Sequence, residues 1–370
     1  MEYDKGKNML NRSDKISLRQ MLFIFVNMAG SPSIRFIPVF ASEAAGQAAW
    51  LCPLVSLGLI LLFLFPLQKL FNSYRNASLV DILQDILGKV AGKAVCIVLF
   101  IWIAICVAFN MRYFAERIVT TIFPNSDIIF FLLVMSLLVG LTLRSGIVVL
   151  ARMNEIFLPV IVFIYAISNL LLIPEIRVSN LTPITYLDII PVMTGSIGIM
   201  AVWAYFPFIF LFSDLVNNKE KLKKEGTNSM LFLTLLTTLV LLIPIGLFSS
   251  PVVNKMPIPF YEAIKEISTL NELAGIETAV ISIWILTDYV LLFALSFAAL
   301  HIPKTLLKSP DNKPFINTFF IAVFFISLLI CSHVYELEAF SKYIAVPANI
   351  ALSFGLFLVT FIVGKIRKKF

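Results

Sequence analysis

Charge is scarce in this chain. Of its 370 residues only 14% are Asp, Glu, Lys or Arg, while 59% are hydrophobic; an average soluble domain carries about a quarter charged residues. That balance excludes a water-soluble globular domain and argues for a multi-span membrane protein. Histidine is nearly missing, with only His301 and His333. The four cysteines, Cys52, Cys96, Cys106 and Cys331, sit in or beside apolar runs without metal-ligand spacing. They read as small core residues, and no metal site is expected. No glycine-rich phosphate loop is present, nor any nucleophile with a base in a local motif, so no enzyme chemistry and no cofactor are expected.

What the chain has in abundance is apolar runs of about 20 residues, the length that crosses a bilayer. Ten are read, at 18–40, 48–66, 94–122, 128–143, 146–173, 190–212, 230–248, 278–300, 315–331 and 343–364. The net charge of +7 would suit nucleic acid, but its distribution follows membrane topology instead, and no nucleic-acid partner is expected. With the amino terminus inside, the inner segments hold Lys5, Lys7, Arg12, Lys15 and Arg19, then Lys69, Arg75, Lys89 and Lys93, then Arg144 and Arg152. Further along they hold Lys219, Lys221, Lys223 and Lys224, then Lys304, Lys308 and Lys313, and last Lys365, Arg367, Lys368 and Lys369. These are about 22 of the 29 basic residues. Both termini are therefore expected in the cytoplasm, with the run at 219–224 touching lipid headgroups. A cleavable signal peptide ending near 41–45 is the competing reading of the first span, but its removal would reverse every later loop against the charge bias.

Two spans carry helix-breaking clusters near their middle. The first is Ala29-Gly30-Ser31-Pro32-Ser33, the second runs from Trp203 to Pro207. Unpaired backbone groups at membrane depth survive only beside protein or a water-filled cavity, so both helices are expected to be broken around a binding site. Two short amphipathic helices, 78–88 and 259–267, are expected on the membrane surface between spans. The order of broken span, intact span, surface helix and three further spans occurs twice. Five spans per half then implies an inverted repeat: an inner tail 1–17, a first repeat 18–173, an outer loop 174–189, a second repeat 190–364 and a basic inner tail 365–370.

Candidate binding residues are the polar groups within these spans: Gly30, Ser31, Asn110, Trp203, Tyr205, Asp288 and Tyr289. Asp288 lies near the centre of the eighth span, where a carboxylate is costly. Two roles are open to it, a functional group or a structural partner for a buried arginine or a set of hydroxyls. Arg35 has three candidate partners: a ligand carboxylate, Asp288 or Glu43. Arg112 and Glu116, one turn apart, read as an ion pair whose charges snorkel to the outer end of the third span. Arg152 and Glu155 read as a second structural ion pair.

Several segments, in order, resemble the B-subunit permease family of bacterial spore germinant receptors, within the amino acid/polyamine/organocation transporter superfamily. They are Ile16-Ser17-Leu18-Arg19-Gln20 with Gly30 and Pro38, Ala45-Gly46-Gln47-Ala48-Ala49-Trp50, Ile86-Leu87-Gly88-Lys89 with Gly92-Lys93, Met111 to Glu116, Ala151 to Ile156 with Pro159, and Asn180-Leu181-Thr182-Pro183. The chain departs from that pattern at Ala48, where an acidic residue is usual, and at Arg35. The resemblance implies an all-α, ten-helix LeuT-type fold with a 5+5 inverted repeat, a small nutrient germinant as ligand, and assembly with an A subunit and a lipoprotein C subunit in the spore inner membrane. Two other functions fit the same spans: a secondary amino acid or solute transporter with Asp288 coupling protons, and an ion-conducting subunit of the receptor.

Overall fold

The computed structural model describes residues 15–74, 77–271, 274–331 and 333–369. Most of the predicted inner tail, with Lys5, Lys7 and Arg12, and Arg75 in the first inner loop lie outside the described residues. The rest is almost wholly helical. Seven helical stretches are long and apolar enough to cross a membrane. The first, Leu18–Ser73, runs to 56 residues, and Ile128–Leu143 and Lys313–Leu329 are shorter apolar helices.

In chain order the helices are α1 (Leu18–Ala45), α2 (Cys52–Ser73), α3 (Leu79–Leu87), α4 (Lys89–Thr121), α5 (Ile128–Leu143), α6 (Ile147–Leu172), α7 (Ile189–Trp203), α8 (Tyr205–Phe208), α9 (Leu222–Phe248), α10 (Ser250–Val253), α11 (Pro259–Asn271), α12 (Ala274–Leu306), α13 (Lys313–Leu329), α14 (Val334–Phe340), α15 (Val346–Ile350) and α16 (Leu356–Ile366). A two-residue parallel bridge joins β1 (Ile16–Ser17) to β2 (Val216–Asn217), with Ile16 opposite Val216.

Local chemistry sets the helix ends. Ser17 accepts from the Gln20 N–H at 3.1 Å while Gln20 Oε1 accepts from Ser17 N–H at 2.8 Å, a capping box that starts α1. Gly46, at φ 56°, ends it in a conformation that favours glycine. The amphipathic α3 is capped in the same way by Ser78 and Asp81 and stops at Gly88. Its apolar face, Leu79, Val80, Ile82, Leu83 and Ile86, is buried. Gly92 of α4 makes that docking possible, since a Cβ there would lie 2.6 Å from the Gln84 Cα.

The first expected break does not occur. α1 keeps its helix through Gly30, Ser31 and Pro32 to Ala45. Pro32 removes the N–H that would reach the Met28 carbonyl, yet the helix runs on through it, so one missing bond is absorbed; Ser33 Oγ adds a second donor to the neighbouring Ala29 carbonyl at 2.6 Å. Glycine permits unwinding without requiring it. The second break is present: α7 stops at Trp203, Ala204 forms a turn, and after α8 the chain tightens to a 3-10 helix over Ile209–Leu215. Pro207 has no N–H for the Trp203 carbonyl, which locates the interruption. The last apolar stretch departs from α geometry twice, in π-helical turns at Ser341–Ala345 and Ala351–Gly355 that flank α15 with its Pro347.

α1 sits at the centre, packed on α6, α7, α9 and α12. Glycines allow close approach to α7: a Cβ on Gly198 would lie 2.2 Å from the Phe40 ring of α1, and one on Gly195 2.7 Å from Cys52 Sγ of α2 and 3.5 Å from the Ala41 carbonyl oxygen of α1. The second short amphipathic helix, α11, is not laid on a surface. Phe260, Tyr261, Ala263 and Ile264 bury it in a second apolar cluster with Tyr165, Ile243 and Trp284, because its apolar face finds α1, α6, α9 and α12 around it.

Candidate functional site

α4 carries Asn110, Tyr113 and Arg117 at spacings of three and four, which puts them on one helix face. That face meets α1 and α12. Arg117 Nη2 pairs with Asp288 Oδ2, and both are buried, at 4% and 1% exposure. Ser31 of α1 donates to the other carboxylate oxygen of Asp288 and lies 3.4 Å from Arg117 Nη1. The Arg117 guanidinium also stacks over the Trp284 ring, 5.0 Å from its centre. Asp288 thus has both an arginine and a hydroxyl, the structural partners considered from sequence, and Arg35 pairs with neither Asp288 nor Glu43. Glu43 is taken by Lys342 at 2.6 Å.

One turn along α1 from Ser31, Arg35 Nη2 donates to Asn110 Oδ1 at 3.1 Å and its guanidinium stands 3.9 Å from the centre of the Tyr113 ring. Asn110 in turn donates to the Cys106 carbonyl at 2.8 Å and to Tyr205 Oη at 3.1 Å. Tyr205 is the first residue past the break at Ala204, so the interruption delivers its hydroxyl to the polar centre. Asn349, between the two π-helical turns, accepts from Trp102 Nε1 at 2.9 Å and donates to the Ala201 carbonyl at 3.3 Å. Two small cavities flank α1. One, about 50 Å³, is lined by Asn27, Gly30, Ser33, Tyr165, Trp284 and Thr287 among others. The other, about 20 Å³, is lined by Pro32, Arg35, Tyr205, Ser341 and Asn349 among others. Each has room for a few water molecules at most.

Of the seven expected site residues, Ser31, Asn110, Tyr205 and Asp288 come together here, and Gly30 lines the larger cavity. Trp203 is fully buried in the main core and lines neither cavity. Tyr289, one residue past Asp288, turns away and packs on Phe293, with its hydroxyl towards Thr142 of α5. A shift of one residue rotates a side chain by about 100° around a helix, which is enough to leave the site.

Arg112 Nη2 lies 3.4 Å from Glu116 Oε2, yet the snorkelling expectation for this segment is corrected: Arg112 and Arg117 are both buried, because their turn of α4 is enclosed by other helices rather than by the membrane interface. Arg152 and Glu155 form no ion pair among the described residues; Glu155 instead accepts from Gln20 Nε2 at 3.2 Å, drawn to the start of α1. Sequence reasoning missed Arg117, whose signal was its place two turns from Asn110, and Asn349, an amide in an apolar run beside a proline. It also missed the Asn27–Asn154 hydrogen bond of 2.6 Å and the partner of His301, whose Nε2 lies 2.8 Å from Asp214 Oδ1. Among the described residues no group of three or more His, Cys, Asp or Glu could hold a metal ion.

A bundle of apolar helices around a buried polar centre, with one helix interrupted beside it, defines an integral membrane protein. Within that class the chain belongs to the spore germination protein family, whose family model matches residues 15–336. It is 23% identical over 370 residues to spore germination protein KB of Bacillus subtilis (strain 168), covering 96% of this chain and 97% of that one. It is 21% identical over 310 residues to the putative spore germination protein YfkT of the same organism, covering 81% and 84%. The family read from short segments of the sequence is the family found.

Proposed function

We propose that this chain is the membrane subunit of a spore germinant receptor that binds a small, amino-acid-like nutrient at the centre of the bundle. On this reading ten spans form two inverted five-helix repeats of LeuT type, 18–173 and 190–364, in which α1 and the α7–α8 pair are the corresponding helices and only the second is unwound. The pocket lies between α1, α4, α8 and α12, and the receptor works with an A subunit and a lipoprotein C subunit in the spore inner membrane.

The observation that supports this most is the buried set Ser31, Arg117 and Asp288 continuous with Arg35, Asn110 and Tyr205. Ionisable groups inside a membrane bundle are costly and concentrate on ligand and ion paths. Binding must favour one conformer over another to signal, since equal affinity for both shifts nothing. The interrupted helix at Ala204 and the π-helical turns beside Asn349 are the elements with geometry to change. A proton-coupled transporter draws less support, because Asp288 is already held by Arg117 and Ser31.

The test is germination of spores in which this chain belongs to the sole receptor. Deleting the gene should abolish the nutrient response, and the A and C subunits should co-purify with the chain. Sustained, gradient-driven solute uptake by the chain alone in vesicles would instead establish a transporter.

A further inference from the structure

The buried charges around this site pair off and leave one cation over. Glu116 takes Arg112 and Asp288 takes Arg117, while no carboxylate among the described residues comes within ion-pair distance of Arg35. Arg35 is 8% exposed. One of its nitrogens serves Asn110; Nε and Nη1 are buried without a hydrogen-bond partner among the described residues. The Tyr113 face offsets part of the cost of the charge, but an unpaired guanidinium in a low-dielectric interior stays strongly unfavourable until an anion joins it. Arg35 lines the cavity that Tyr205, Ser341 and Asn349 also line.

Resting on the receptor reading above, we propose that Arg35 clamps the carboxylate of the nutrient and so restricts the ligand to amino acids or other small carboxylic acids, excluding neutral sugars and nucleosides. The match is geometric as well as electrostatic: a carboxylate offers two oxygens to the paired N–H groups of a guanidinium, which a hydroxyl cannot do. Pro32, Phe109, Ala201 and Val202 supply apolar wall for a short side chain. The cavity is too small for a whole nutrient, so a wall must yield on binding. Ser341 and Ala345 line it from a π-helical turn, a geometry that recurs at functional sites.

The experiment compares spores carrying the unsubstituted chain with spores carrying Arg35→Gln or Arg35→Lys, in which it belongs to the only receptor. They are challenged with the standard L-amino acids, with the carboxamide of each amino acid that germinates them, and with glucose and inosine, in buffers with and without chloride. The readout is the concentration giving half the maximal fall in optical density. The proposal expects one or more carboxylate nutrients to act, their carboxamides to need at least about tenfold more, and R35Q to shift the response by a similar factor, the scale of one charge-assisted hydrogen bond. R35K, with charge but no fork, should fall between. A carboxamide as potent as its acid, or an undiminished R35Q response, overturns the carboxylate clamp and leaves the receptor reading standing; so does germination by glucose or inosine alone. A response governed by chloride, with carboxamide and acid equally potent, makes Arg35 an inorganic-anion site and also overturns it. No response to any nutrient sinks the receptor reading itself. If R35Q is absent from spore membranes on immunoblots, the acid and carboxamide comparison on the unsubstituted chain decides.

Discussion

At the scale of single residues, the Arg117–Asp288 pair shows how a buried charge can be neutral for the fold and severe when halved. Replacing both members with uncharged polar groups removes attraction and desolvation cost together, whereas removing one strands the other. Asp288→Asn should therefore lower stability by about 3–5 kcal/mol, and adding Arg117→Gln to it should restore most of that loss; thermal unfolding in detergent micelles measures both. The residues of the site were legible singly, as polar groups in apolar spans. Their pairing was not. Arg117 and Asp288 stand 171 positions apart, and whether two such groups meet depends on how each helix is rotated about its axis, which hydropathy does not encode. The same limit explains Tyr289, whose neighbour enters the site while it faces α5.

At the scale of elements, the two proline-bearing helices separate what a breaker allows from what it enforces. In α1 the helix continues through Pro32, with Ser33 Oγ donating to the Ala29 carbonyl beside the Met28 carbonyl that Pro32 leaves without its N–H; in the other, no side-chain hydrogen bond spans the gap at Pro207 among the described residues, and the helix parts at Ala204. The apolar runs announced which stretches are helical, because burial in lipid demands length, but several helices run well past them: α2 continues to Ser73, α9 begins at Leu222 and α12 continues to Leu306. Continuity across a proline is not written in the proline itself, since the same missing N–H is absorbed in one helix and accompanies a break in the other. Pro207→Ala supplies the missing N–H and favours a continuous helix by about 3 kcal/mol. On the receptor reading this variant should still accumulate in spore membranes but respond weakly or not at all to nutrient, as optical-density assays with immunoblots would show. The docking of α3 gives a second test. Gly92→Ala drives a methyl to within 2.6 Å of the Gln84 backbone, where no side chain can swing aside. It should cost about 1–3 kcal/mol. Gly58→Ala is the control: it has nothing within 4 Å of the new Cβ and sits in α2, so it should be neutral or stabilise by up to about 1 kcal/mol. Thermal midpoints of the purified variants distinguish the two.

At the scale of the whole molecule, the contacts between distant loops fall into two groups. In one, β1 pairs with β2, Lys219 donates to the Ser213 carbonyl at 2.8 Å, and Ser213 donates to the Ala77 carbonyl at 3.0 Å. The carboxy-terminal tail joins that group through Arg367, which donates to the Ile86 carbonyl, and Lys369, which pairs with Asp85, both at 2.8 Å. The hydrogen bond from Lys369, with that from Tyr74, holds the Asp85 carboxyl below its usual range. A depressed folded value means the tether is present above the unfolded value, about 4, and is lost as pH falls through the folded one. Hydrogen-exchange protection of residues 365–369, taken relative to the unstructured chain at the same pH, should accordingly hold at pH 6 and fall only well below about pH 4. In the other group, Ser250 donates to the Ser42 carbonyl at 3.3 Å, Lys342 pairs with Glu43 at 2.6 Å, and Asn180 donates to the Gly246 carbonyl at 2.9 Å. The first group gathers segments that the lysine and arginine bias assigns to the inside, the second segments assigned to the outside. An even number of crossings, such as the ten proposed, satisfies both partitions at once, because only an even number returns the tail to the side of β1. Side-specific labelling tests this directly. The four native cysteines are buried, so a single new cysteine gives the signal. Lys221→Cys and Lys368→Cys should react with a membrane-impermeant maleimide only in inside-out vesicles, and Glu175→Cys and Lys255→Cys only in right-side-out ones. Reaction of Lys368→Cys from the side of Lys255→Cys would mean an odd number of crossings, and with it the end of the inverted-repeat reading.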